Sequence, residues 1–274
     1  MSDFDRNAVA GRYGQTAGRE EAAVIDQGLR AYMLHIYNYM VLGLAITGLA
    51  ALGIYMLSIT NDAAAAAKVM RGGSEVAAQI RTGLFLTPIG YALFVSPLKW
   101  VVILAPLAFV LVLSFGMERM RPATAQMLFW IFAALIGVSL GAIFMVYTHT
   151  SITRVFFITA ASFGALSLYG YTTKRDLSGM RTFLFMGLVG LIIAGLVNLW
   201  LGSSMLQFIV SVAGVLVFAG LTAWDTQRLK SEYVYAAADG ETMERSAIMG
   251  ALSLYLNFIN MFQFLLSLLG TRDE

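Results

Sequence analysis

From residue 34 onward the chain is written in long apolar runs separated by short polar stretches. Seven runs predict membrane-spanning helices, at about 34–58, 99–117, 124–147, 154–173, 181–202, 205–225 and 247–269. A hydrocarbon core of about 30 Å needs roughly 20 apolar residues of helix at about 1.5 Å each. The first thirty residues break this pattern with both charge signs, glycine and small side chains, and no apolar core follows a basic start as in a signal peptide. They predict a flexible tail over 1–30. Arg6, Arg12 and Arg19 would suit a mitochondrial presequence, but Asp3, Asp5, Glu20, Glu21 and Asp26 are the acids such segments avoid. Between the first two runs, GLFLTPIGYALFVSP at 83–97 is apolar but short, carries Pro88 and ends at Pro97. It predicts an interfacial or re-entrant segment; an eighth crossing would move the C-terminus to the other side. Residues 271–274 form a short C-terminal tail.

Composition makes the membrane reading firm. A chain of 274 residues that is 59% hydrophobic and 12% charged has too little polar surface to cover a soluble globule. The net charge of +2 says little about partners and calls for no nucleic acid. Its placement says more. With the N-terminus inside, six of the eighteen Lys and Arg fall outside (Lys68, Arg71, Arg81, Lys99, Arg154, Arg272), leaving twelve inside. Four of the six belong to the one long segment between the first two runs, where the positive-inside rule weakens. The expected protein is an all-α bundle with a cytoplasmic N-terminus and an outer C-terminus. Cysteine is absent, so disulfides and thiolate chemistry are excluded.

A charge at the bilayer centre costs about 2.5–3.5 kcal/mol on insertion scales, so intramembrane carboxylates are candidates for function. Within the seven runs there is one, Asp225, at the end of the sixth, with Glu118 and Arg119 just beyond the second. Asp225 is either solvated among headgroups or buried and paired with a cation such as Arg119. In the second case protonation becomes a switch. One carboxylate excludes an aspartyl-protease dyad. The two histidines, His35 and His149, fall on opposite sides and read as interfacial polar residues, not as a shared zinc site. No nucleophile-elbow, phosphate-loop or dinucleotide signature stands in a suitable context, so neither an enzyme nor a bound cofactor is expected. Gly137 and Gly141 form a GxxxG suited to close helix packing, as do Gly187, Gly190 and Gly195. The fifteen methionines have no pair spacing suited to copper and read as packing.

The last run carries three amides, Asn257, Asn260 and Gln263, in SLYLNFINMFQFLL. Steps of three residues turn by about 60° each, so they predict a slanting polar stripe turned away from lipid. It serves either interhelical hydrogen bonding or the lining of an ion path.

Four segments, YTTKRDLSGM at 171–180, VNLWL at 197–201, FAGLTAWDTQRLK at 218–230 and GALSLYLNFINMFQFLLSLLG at 250–270, carry a resemblance that covers the chain after its tail. Their order, spacing and placement resemble the bacterial branch of the Bax inhibitor-1 family, also called the transmembrane Bax inhibitor motif family. The resemblance implies seven transmembrane helices, six surrounding a central seventh, and a passive, pH-sensitive calcium leak in the bacterial inner membrane. In such relatives a carboxylate of the sixth helix shares a proton with one in the seventh, and an arginine at the cytoplasmic end of the second helix responds to them. Asp225 in AWDTQ matches the first acid. Arg119 in MERMR matches the arginine when the spacing to Gly137 is the ruler, with Arg121 as the fallback. The second acid aligns with Asn257, so two carboxylates cannot share a proton here. The implied gate is Asp225 with Arg119 and Asn257, its pH response damped or shifted to acid. Asn260 and Gln263 are left as possible pore lining. Membrane lipid surrounds the bundle, and Ca²⁺ is the permeant ion, touching Asp225 only weakly and transiently. A different implication also stands: some bacterial members bind and modulate a membrane-anchored quality-control protease, for which the tail would be the grip.

Overall fold

The computed structural model describes residues 3–71, 74–116, 120–236 and 239–273, with side chains undescribed at 3–25, 71, 112–115 and 234–236. The apolar runs fold as helices because a backbone in lipid must satisfy its hydrogen bonds internally. Helix α1 (Asp3–Ser58) is followed by five short strands, β1 (Ile59–Thr60), β2 (Lys68–Arg71), β3 (Ser74–Ala77), β4 (Gln79–Arg81) and β5 (Leu84–Leu86). Then come α2 (Pro88–Phe94), α3 (Lys99–Gly116), α4 (Pro122–Leu140), α5 (Ile143–Val146), α6 (His149–Thr172), α7 (Arg181–Leu201), α8 (Ser204–Ala236) and α9 (Gly240–Leu269). The chain is an all-α membrane protein. The backbone is already helical from Asp3, through the segment expected as a tail.

Among the described residues six helical segments are long and apolar enough to cross a membrane: Asp26–Ser58, Pro122–Val146, His149–Thr172, Ser178–Leu201, Ser204–Tyr233 and Gly240–Leu269. Pro88–Phe94 and Lys99–Leu111 pass that test only together, bent by 58° at the break, and make a seventh span if taken as one. Pro88 opens α2, where Thr87 caps the helix by accepting from the Gly90 amide at 3.1 Å, and Pro97 sits in the break. The 83–97 segment is thus a strand and a two-turn helix, too short to be a crossing of its own.

The small sheets were not foreseen. β1, β5 and β4 pair antiparallel in that order, and β2 pairs with β3. Ala67, Ala78 and Leu86 are buried between them. The Gly72–Gly73 dipeptide between β2 and β3 is a hairpin signal, but two four-residue strands are weak against the surrounding helical runs.

Helix α9 lies at the centre. Half of its apolar window is buried, against 6% for α7 and no more than a third for any other span. Its buried face, Ile248, Ala251, Tyr255, Phe258, Phe262 and Leu266, repeats at helical spacing. It packs on α8, α1, α6 and α4, while α3 packs on α4 and α7 on α8 as an outer layer. Six helices do not ring it evenly. The GxxxG of α4 seals against α1: a Cβ at Gly137 would sit 2.5 Å from the Thr47 carbonyl oxygen. Gly187 approaches Val217 of α8 as expected, whereas a Cβ at Gly190 or Gly195 meets nothing within 4 Å, so these two do not serve close packing.

Two helices outrun their hydropathy limits. α8 continues eleven residues past Asp225, and α9 begins seven residues before 247, because an amphipathic helix can leave the membrane without breaking. Asp239 caps α9, accepting from the Thr242 amide at 3.1 Å and its hydroxyl at 2.7 Å. These donors hold its carboxyl below the usual carboxylate range. The cap is therefore complete above the ordinary aspartate value and lost as pH falls through the lowered one. Asp239→Ala should speed amide hydrogen exchange at Thr242, whereas Asp239→Asn, which still caps, should not. At the other end the C-terminal residues are tied down, not loose. Arg272 bridges Tyr147, the Thr148 amide donates to Thr271, and Asp273 pairs with Arg81 of β4.

Candidate functional site

Asp225 is inside α8, not at its end, and 4% exposed. Burial settles the choice left open by the sequence: this carboxylate is not solvated among headgroups. One oxygen, Oδ2, accepts from Ser253 Oγ at 2.9 Å and from Asn257 Nδ2 at 2.7 Å, both on α9. The other, Oδ1, pairs with Arg228 Nη2 at 2.9 Å, one turn along α8. Three donors, one of them charged, converge on one carboxylate. The bonds to Ser253 and Asn257 also lock α8 to α9.

Arg228 is held from several directions. Its Nε lies 3.7 Å from Glu232 Oε1, with no hydrogen bond of its own, and its guanidinium stands 5.1 Å from the Trp224 ring centre. It separates two cavities. One, of about 610 Å³, is bounded by Arg228, Glu232, Arg245, Ser246, Ser253 and Leu256. The other, of about 590 Å³, touches Asp176, Arg181, Trp224, Gln227, Arg228 and Glu232. Two of the three donors to Asp225, Ser253 and Arg228, therefore form the floor of a polar cavity.

Aromatic side chains crowd the middle of α9. Tyr255, fully buried, meets Phe129 and Phe132 edge-on at 5.6 and 6.0 Å, and Phe258 meets Phe163 at 5.5 Å. The Tyr255 hydroxyl lies 2.6 Å from Thr47 Oγ1, which reaches the carbonyls of Gly43 and Ala133 at 2.9 Å, joining α1, α4 and α9. These rings form an aromatic layer around the buried middle of α9.

The residues singled out in the sequence fare differently. Asp225 and Asn257 are brought together. Arg119 lies outside the described residues, and the cation found on Asp225 is Arg228. Arg121 is the N-cap position of α4 and makes no side-chain cap bond. The amide stripe does not form one surface. Asn257 is buried, Asn260 is half-buried and bonds back to the Leu256 carbonyl at 2.8 Å, and Gln263 is exposed. Two 60° steps carry the stripe from the core to the outside. Arg228 and Ser253 were missed, although both signals were present: Arg228 stands three residues after Asp225 and Ser253 four before Asn257, each one helical turn away. His35 and His149 are both exposed, the latter 5.5 Å from Tyr55, about 30 Å along α1 from the former.

Among the described residues no group of three His, Cys, Asp or Glu could hold a metal ion. Asp225 itself is faced by donors, and a divalent cation wants about six to eight oxygens. The site in this conformation does not fit Ca²⁺ as a resident ion.

The chain matches the model of the family described as Inhibitor of apoptosis-promoting Bax1 over residues 29–274. It is 42% identical to an uncharacterized protein of Caulobacter vibrioides across the whole of both chains. It is 44% identical to an uncharacterized protein of Rickettsia prowazekii, covering 91% of this chain and 93% of that one. The inner membrane protein YbhL of Escherichia coli K12 is 49% identical over 58% of this chain and 69% of its own.

Proposed function

Because the chain belongs to the Bax inhibitor-1 family of membrane proteins, we propose that it is a passive, pH-sensitive cation leak of the bacterial inner membrane, with Ca²⁺ as the permeant ion. One observation carries this reading: a buried carboxylate inside a spanning helix, tied to the central helix and to an arginine on the floor of a polar cavity. With the N-terminus in the cytoplasm, that cavity opens on the cytoplasmic side. In the closed state Asp225 holds Arg228 beneath it and α8 against α9. Protonating Asp225 removes the charge that holds Arg228, weakens the acceptor for Ser253 and Asn257, and lets α9 shift its aromatic layer. Among the described residues, the charged groups facing Asp225 are Arg228, then Glu232 of α8 and Arg245 of α9 across the cavity. Asn257 fills the position of a second acid, so a single carboxylate senses pH.

Passive leak suits this inventory better than coupled transport, since Asp225 is the one carboxylate within the seven apolar runs of the sequence. Purified protein in calcium-free liposomes tests the reading. Calcium entry should rise as pH falls, and Arg228→Gln, which leaves both α9 bonds to Asp225 in place, should raise the leak at neutral pH. A wild-type flux that is flat with pH, or no different from empty liposomes, sinks the proposal.

A further inference from the structure

We propose that the gap between α1 and α6 binds a phospholipid with an anionic headgroup, its phosphate at Arg30 and one acyl chain running down the gap. Both helices pack on α8 and α9, yet they touch each other little, through the hydrogen bond between the Tyr37 and Ser167 hydroxyls and, at the far end, the Tyr55 and His149 rings. Two cavities stand in this gap, one below the other. The first, of about 430 Å³, is bounded by Arg30, Leu34, Tyr37, Gly164, Ser167 and Tyr171. The second, of about 230 Å³, lies among Thr47, Gly48, Phe156, Phe258 and Phe262. Phe163 lines the first and Phe258 the second, with their rings 5.5 Å apart. From Arg30 to Met40, which bound the first cavity, α1 rises about 15 Å, half the hydrocarbon thickness of about 30 Å and so the depth of one lipid leaflet.

The chemistry changes along this length as a phospholipid does. Arg30 is exposed and lines the cavity, and Lys230 stands beside Tyr171, another lining residue, its Nζ donating to the Tyr171 carbonyl at 2.9 Å and lying 5.1 Å from the Tyr171 ring centre. Two cations above apolar walls complement a phosphate above an acyl chain. The rims open sideways to lipid, with Leu34 53% and Leu168 63% exposed. A peptide fits poorly: the polar side chains of the floor, Tyr37 and Ser167, bond each other, and Ser167 also meets Thr226 at 2.9 Å, leaving little for a backbone to pair with.

Open volume over two helix glycines makes the site testable without cutting into the packing. A Cβ at Gly164, in the upper cavity, or at Gly48, in the lower, meets no atom within 4 Å. Gly164→Phe therefore fills the upper cavity while leaving the helix contacts in place. Full-length protein stripped of lipid in detergent is titrated with dioleoyl phosphatidylglycerol, and separately with dioleoyl phosphatidylcholine, and retention is read by native mass spectrometry. The wild type should hold one phosphatidylglycerol and favour it over phosphatidylcholine. Gly164→Phe and Arg30→Gln should each weaken it about tenfold, or about 1.4 kcal/mol. Retention unchanged in Arg30→Gln, or in a folded Gly164→Phe, overturns the site. Arg30→Gln, at an exposed position, carries the test if Gly164→Phe does not fold. No ion flux enters the readout, so the result is independent of the leak.

Discussion

Asp225→Ala should leave a calcium leak that is raised at neutral pH and no longer responds to acid. The substitution removes the one acceptor on which Arg228, Ser253 and Asn257 converge. Hydrogen bonds to a charged partner contribute about 1.5–3 kcal/mol, so loss of one such lock raises the open fraction roughly tenfold to a hundredfold. Asn257 is buried, and its orphaned amide adds a folding cost of about 1–3 kcal/mol. Asp225→Asn separates the two effects, since it keeps an acceptor oxygen and loses the charge. It should match the alanine variant in pH-independence and approach the wild type in thermal stability. Flux in Asp225→Ala that follows the wild-type pH profile removes this carboxylate from the gate.

Asn257→Asp should move the pH response of the leak toward neutrality. The change puts a second carboxylate where an amide nitrogen now stands, 2.7 Å from Asp225 Oδ2. Two acids at that separation cannot both ionise comfortably, and they keep one proton between them to higher pH. The native arrangement replaces that repulsion with a donor, and this is why a single-acid gate should need stronger acid to open. Ser253 and Arg228 remain as partners for Asp225, so the variant should fold. A variant whose flux profile overlays the wild type shows that Asn257 has no part in setting the pH at which the leak opens.

Hydropathy made the helical runs legible because lipid leaves a spanning backbone no partner but itself. The same reason made the ends of α8 and α9 illegible. Hydropathy reports where a helix leaves the apolar phase, not where its hydrogen bonding stops, and so Asp225 looked like a helix terminus when it is eleven residues from one. The strands between α1 and α2 were hidden because segments of two to four residues gain little from their own pattern and form by pairing with one another.

At the site, residue type and family resemblance were enough to single out Asp225 and Asn257. An unpaired acid in an apolar run and an amide in the place of a second acid are properties of the string of letters. Which cation answers Asp225 was not. Arg228 stands one turn along α8, where the side chain reaches Oδ1, and the packing of α8 against α9 puts Ser253 beside Asn257 on Oδ2. The same packing buries Asn257 and exposes Gln263. Periodicity places amides along a helix, but the neighbours packed around it decide which of them meets a partner and which meets lipid.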